Sequence, residues 1–191
     1  MRALFGHYLV RTHRIIRATE SLMSVALQKA EESAFRDPVA AGVAEYLQDH
    51  IVDEKGHDEW LLEDLSVLGM DRATVLSGVP SDTIACLVGA QYYWSLHCHP
   101  VALLGYFATM EGHPPSTELI ERLINATGYP REAFRTLIEH GQLDPHHRDE
   151  LDRTIDSLPL TEEHEKLLGL SAISTVTLLA RSIEEVIEES A

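Results

Sequence analysis

Three side chains that bind metals recur along one stretch of this chain: His140, Asp144 and His147. Spacings of four and three return to the same face of an α-helix. Leu137 precedes them on that face, and Leu151, Ile155 and Leu158 follow, so imidazole and carboxylate occupy positions where a helix normally buries leucine. Ionisable groups are seldom buried unless they are paired or hold a metal. The same anomaly recurs elsewhere. One stripe reads Val43, Leu47, His50, Glu54, His57, Leu61, Leu65, Leu68 and contains an E-x-x-H step. Another reads Leu9, His13, Ile16, Glu20, Met23, Leu27, and a shorter one runs Leu104, Phe107, Glu111. A bundle that joined these faces would gather Glu20, Glu54, His57, Glu111, His140, Asp144 and His147 around one point. That mixed carboxylate and imidazole set suits a pair of metal ions better than a single one.

Helices must position these residues. The hydrophobic pattern reads all-helical, with no strand alternation of useful length. The first helix is expected over 3–33, which holds no proline and, after Gly6, no glycine. Asp37-Pro38 opens a second, an N-cap followed by proline at the first position, running to Gly69. Shorter helices follow over 71–78, 82–97, 100–112 and 116–128. Pro130 opens the helix with the His-Asp-His triplet, and Leu160-Thr161 starts the last. Gly56, Gly141 and Pro145 lie inside metal-bearing segments. Pro145 is expected to bend or break its helix and leave Asp144 as an N-cap.

The chain has 191 residues and reads as one domain over 1–191, large enough for a real core. Its net charge of −16, from 15 basic and 31 acidic residues, argues against nucleic acid and anionic membrane surfaces as partners. Cys86 and Cys98 suggest no disulfide framework and are expected as buried thiols. No uncharged run reaches the length of a membrane span, and the expected setting is soluble, reducing and cytoplasmic. Tyr92, Tyr93, Trp94, His97 and His99 are expected as packing aromatics at a pocket edge, and Tyr106 as core. His113, His146 and His164 fall off the stripes and are expected at the surface. Arg11, Arg14 and Arg17 read as a solvated helix face with ion pairs.

The triplet in "EHGQLDPHH", with "HIVDEKGHDEW" upstream, resembles the heme-oxygenase-like diiron oxidase superfamily, the iron-containing redox enzymes. The resemblance covers about residues 5–185 and implies an all-α, heme-oxygenase-like bundle of about seven helices. Its relatives by fold are the TenA and pyrroloquinoline quinone synthase proteins. It also implies two iron ions that activate dioxygen on a small carboxylate-bearing or lipid-like substrate; an external reductant is a candidate partner, and a carboxylate-rich site can accept manganese in place of one iron. On that pattern the ligands fall on Glu20, Glu54, His57, Glu111, His140, Asp144 and His147. One iron is then expected on Glu20, His57 and His147, the other on Glu111, His140 and Asp144, with Glu54 as a bridge or a second ligand. His50 is a candidate extra ligand, and Tyr106 and His97 are candidate neighbours of the ligands. Haem itself is not expected, because His13 lacks the surrounding motif. Two alternatives stay open: a metal-independent TenA-like or quinone-synthase-like enzyme, and a metal-binding bundle without catalysis. A homodimer is compatible with each.

Overall fold

Both of the two long N-terminal helices expected from the sequence are broken. The computed structural model describes residues 1–189. The chain runs α1 (Arg2–Ile16), α2 (Thr19–Ser33), α3 (Pro38–Asp53), α4 (His57–Val67), α5 (Arg72–Ser77), α6 (Asp82–His97), α7 (Ala102–Met110) and α8 (Thr117–Thr127). A 3-10 turn at Arg131–Phe134 then leads into α9 (Arg135–Ser157) and α10 (Glu162–Glu189). Among the described residues there is no strand.

The first break needs neither glycine nor proline. The Ala18 N–H turns back to the Ile15 carbonyl at 3.0 Å, tightening one turn between α1 and α2. That resets the helical phase, so α2 buries Thr19, Leu22, Met23, Ala26 and Ala30. Glu20 is left exposed. The second break lies at Gly56, whose φ of 83° is left-handed, a conformation that favours glycine. Glu54 therefore caps the end of α3, and His57 begins α4. Pro145, expected to break its helix, does not: α9 is continuous around it. Asp144 is accordingly a buried mid-helix residue and not an N-cap.

The caps follow the sequence. The Asp37 carboxylate accepts from the Val39 and Ala40 N–H groups, and the hydroxyls of Ser81 and Ser116 accept from Ile84 and Leu119. One core cluster joins α2, α3, α6 and α7 around Met23, Leu47, Leu87 and Phe107, while a second joins α1 and α4 around Leu9, Leu61 and Phe134. Gly105 on α7 meets α10 closely enough that a Cβ there would lie 2.2 Å from the Leu168 carbonyl oxygen.

Arg11 is not on a solvated face. It is 5% exposed and reaches across to Glu185 and Glu189 of α10, each at 2.6 Å. Cys86 and Cys98 are exposed, because they sit on the outward side and at the end of α6. Helix α10 is long and apolar enough, by length and composition, to cross a bilayer, although the sequence suggested no span. It packs on α7, α6 and α1, and it leaves Ile173, Val176, Ile183 and Ile187 exposed.

Candidate metal centre

Four elements deliver the site. His50 comes from α3, Glu54 and His57 from either side of the Gly56 turn, Glu111 from the end of α7, and His140, Asp144 and His147 from α9. Their donor atoms fall into two adjoining groups. His50, Glu111 and His147 form one, and Glu54, His57 and His140 the other, with donor atoms in each group within 4.8 Å of one another. His147 joins the two: its Nδ1 lies 3.8 Å from Glu54 Oε1 and 3.7 Å from Glu111 Oε2.

This geometry corrects the expected partition. Glu20 is exposed and belongs to neither group, because the α1–α2 break turns it outward. His50 takes a place in the first group. Asp144 is buried beside the groups without being counted in either. Tyr106 is buried on the wall of the adjoining cavity, whereas His97 is exposed and packs near Tyr93. Tyr93 is exposed too, and none of the α6 aromatics lines that cavity. His113 and His146 are exposed as expected, and His164 is half-buried.

The donor atoms fit a metal because they have no other use. Glu54 Oε1, His57 Nδ1, Glu111 Oε2, Asp144 Oδ1 and His147 Nδ1 are all buried without a hydrogen-bond partner. Glu54 Oε1 and His57 Nδ1 are 3.1 Å apart, yet they lack the alignment of a hydrogen bond. So many orphaned polar atoms in one place would be costly in a purely structural cluster. His140 Nδ1 donates to the Thr136 carbonyl at 2.8 Å, which leaves Nε2 with its lone pair free, the usual arrangement of a metal-binding histidine.

The histidines divide electrostatically: burial would lower His50, but its hydrogen bond to Glu111 and that carboxylate's charge raise it in the metal-free protein, whereas the two α9 histidines go down. Burial lowers the pKa of His140 and of His147, keeping both imidazoles neutral and able to coordinate. Burial would raise Glu54, but the imidazoles of His57, His50 and His140 draw it below the usual range. Glu111 goes the other way: burial raises it despite the hydrogen bond to His50. Asp144 is pushed up to about 8 by burial and by the charges of Glu111 and Glu54. Without a bound cation, three crowded carboxyls cannot all ionise freely.

A cavity of about 500 Å³ ends at this cluster. Glu54, Glu111, His140 and Asp144 form its polar end, and its walls include Phe5, Tyr8, Phe107, Met110, Leu137 and Val186. No lysine or arginine lines it.

Asp64 shows the same anomaly, an acid among Leu61, Leu62 and Leu65, but outside the candidate ligand set. Its carboxylate is fully buried and accepts from the backbone N–H groups of Arg135 and Thr136, at 3.1 and 3.0 Å. It thus fixes the start of α9 to α4, and Thr136 in turn orients His140. Asp64→Ala should destabilise the fold by about 1–3 kcal/mol and weaken metal binding by roughly 10- to 100-fold. Chemical denaturation and a metal titration check both. Unchanged metal affinity would show that α9 holds its ligands without this anchor.

A third group, Asp37, His99 and His164, lies apart. His99 Nε2 faces Asp37 Oδ2 at 3.1 Å, and its Nδ1 accepts from the Val101 N–H at 3.0 Å. Both ring nitrogens are engaged and Asp37 caps α3, so this group works as a clasp between α3 and the α6–α7 turn.

The model of the iron-containing redox enzyme family matches residues 7–175. The chain belongs to that family. No curated protein matches it. Solved structures establish the fold that this member of the family shares. One is a domain of unknown function with a heme oxygenase-like fold from Shewanella denitrificans OS217, at 21% identity and a TM-score of 0.84, covering all of this chain and 80% of that one. Another is a TenA homolog from Pseudomonas syringae pv. tomato DC3000, at 14% identity and a TM-score of 0.78, covering 98% and 80% respectively. The all-helical, heme oxygenase-like architecture expected from the sequence is therefore the observed one.

Proposed function

We propose that this protein is a non-haem diiron oxidase or oxygenase that activates dioxygen against a lipid-like or small carboxylate-bearing molecule. The observation that carries the reading is the pair of adjoining three-residue His/Glu groups, whose Glu54, Glu111 and His140 form the polar end of an apolar cavity. His50, Glu111 and His147 would hold one iron and Glu54, His57 and His140 the other. When bound, the irons would supply one-electron chemistry toward dioxygen, with the anionic carboxylates offsetting their charge and the imidazoles completing the ligand set.

The chain's own residues do the rest. The apolar walls exclude water and align a hydrocarbon body toward the ligands. With no lysine or arginine on those walls, an acidic head group has a cation to meet only at the iron end. Asp144 faces the same space, and in the metal-free protein burial and the charges of Glu111 and Glu54 favour its protonated form. The TenA-like alternative has less support, because Cys86 and Cys98 are exposed and neither lines the cavity.

Loading with Fe(II) under nitrogen, elemental analysis and an oxygen electrode test the reading. Roughly two irons per chain and iron-dependent oxygen uptake are expected. Protein that retains no iron would sink it.

The raised Asp144 gives a second test with a definite sign. A carboxyl whose pKa is higher folded than unfolded favours the folded state most at low pH, and that contribution is lost as pH rises through the folded value. Metal-free protein should therefore lose stability between about pH 4 and 8, the window from the ordinary aspartate value to the raised one. Asp144→Asn should flatten that slope in a series of thermal melts. A wild-type slope that survives the substitution would contradict the assignment.

A further inference from the structure

The ligand cluster borders a second cavity of different character. About 310 Å³ in volume, it lies between α3 and α9 and shares no lining residue with the apolar one. Glu45, Asp49 and Glu150 line it, with Arg153 as the one guanidinium among its lining residues. Tyr46 and His50 form its inner wall. Tyr46 is 7% exposed and His50 2%, and each of these lining residues carries a buried polar atom, Tyr46 Oη and His50 Nδ1, that has no hydrogen-bond partner. The two rings stack with centroids 4.9 Å apart. His50 also reaches the other way: its Nε2 lies 3.1 Å from Glu111 Oε1. One side chain thus borders the acidic cavity and belongs to the metal-holding group.

A metal ion must reach that group from water. The apolar cavity is a poor route, because stripping a divalent cation of its hydration against hydrocarbon walls is very costly. The acidic cavity offers three carboxylates to gather the ion. Beyond them, two unsatisfied polar atoms can answer its water shell.

We propose that the cavity between α3 and α9 is the port through which a hydrated divalent cation enters the metal centre. Glu45, Asp49 and Glu150 concentrate the ion at its mouth, and the His50 ring is the gate between port and centre. This rests on the diiron reading. It goes beyond that reading by separating the metal's route from the substrate's.

Stopped-flow uptake of Co(II) alone, at low ionic strength, tests the port. The triple variant Glu45→Gln, Asp49→Asn, Glu150→Gln leaves every proposed ligand in place. It should take up cobalt about ten-fold more slowly and lose most of the salt dependence of the rate. Its final cobalt content and ligand-field spectrum should match those of wild type. Thr154→Trp, which fills the same cavity, should slow uptake without changing charge. Unchanged rates in both variants, with normal final content, overturn the port alone. Wild-type protein that takes up no cobalt overturns the port and the diiron reading together.

Discussion

Glu111→Gln is expected to strip the protein of metal while leaving its metal-free fold as stable as before, or more so. Glu111 is 6% exposed, one of its oxygens meets His50, and the other is buried without a hydrogen-bond partner. Its charge is the largest Coulombic contribution raising Asp144. In the metal-free protein that carboxyl is a source of repulsion, and an amide of the same shape relieves it while still accepting from His50. Metal affinity should fall by roughly 100-fold or more, beyond the loss typical of groups that merely support ligands. Metal-free stability should stay level or rise by about 1 kcal/mol. Elemental analysis and urea denaturation of metal-free protein give both numbers. The opposite pattern, metal retained and stability lost, would make the cluster a structural polar network.

Gly105→Val should produce the largest loss of stability of any change considered. The added Cβ would fall 2.2 Å from the Leu168 carbonyl oxygen and 3.0 Å from the Ala172 nitrogen, both main-chain atoms of α10 that cannot swing aside. Helix α7 would have to move off α10, at a cost of about 3 kcal/mol or more. In a protein of this size that lowers Tm by roughly 6–12 °C. The same shift would disturb Glu111 at the end of α7 and the cavity wall at Val186, so metal content should fall with stability. Gly89→Ala is the control, since nothing lies within 4 Å of its added carbon. It should be neutral or gain about 0.5–1 kcal/mol from better helix propensity. Thermal melts of the two variants side by side decide the matter.

What the sequence disclosed depended on unbroken helical phase. His140, Asp144 and His147 were legible because α9 runs straight through them, and even Pro145 does not disturb their common face. Glu54, His57 and Glu111 were legible as polar residues interrupting apolar stripes, and the structure brings all of these residues to one place. Glu20 was misplaced because the helix ahead of it tightens at Ala18 through backbone hydrogen bonding, a turn that no glycine or proline announces. His50 stood on the right stripe, but its membership of a group required knowing where α7 ends. Asp64 was missed because its partners are the backbone N–H groups of a helix 71 and 72 residues away, and sequence spacing carries no trace of them. The burial of Arg11 had the same origin, in acids at the far end of the chain.

The left-handed turn at Gly56 sets α3 and α4 on separate registers. His50 is placed by the first helix and His57 by the second, and they serve different groups. A residue inserted or deleted within α3 would rotate His50 out of place without disturbing the phase of His57. The turn therefore uncouples the aim of His50 from that of His57, a freedom that a single continuous helix through E-x-x-H would forbid, while Glu54 at the end of α3 and the shared helix α9, which carries both His140 and His147, keep the two halves of the centre tied together.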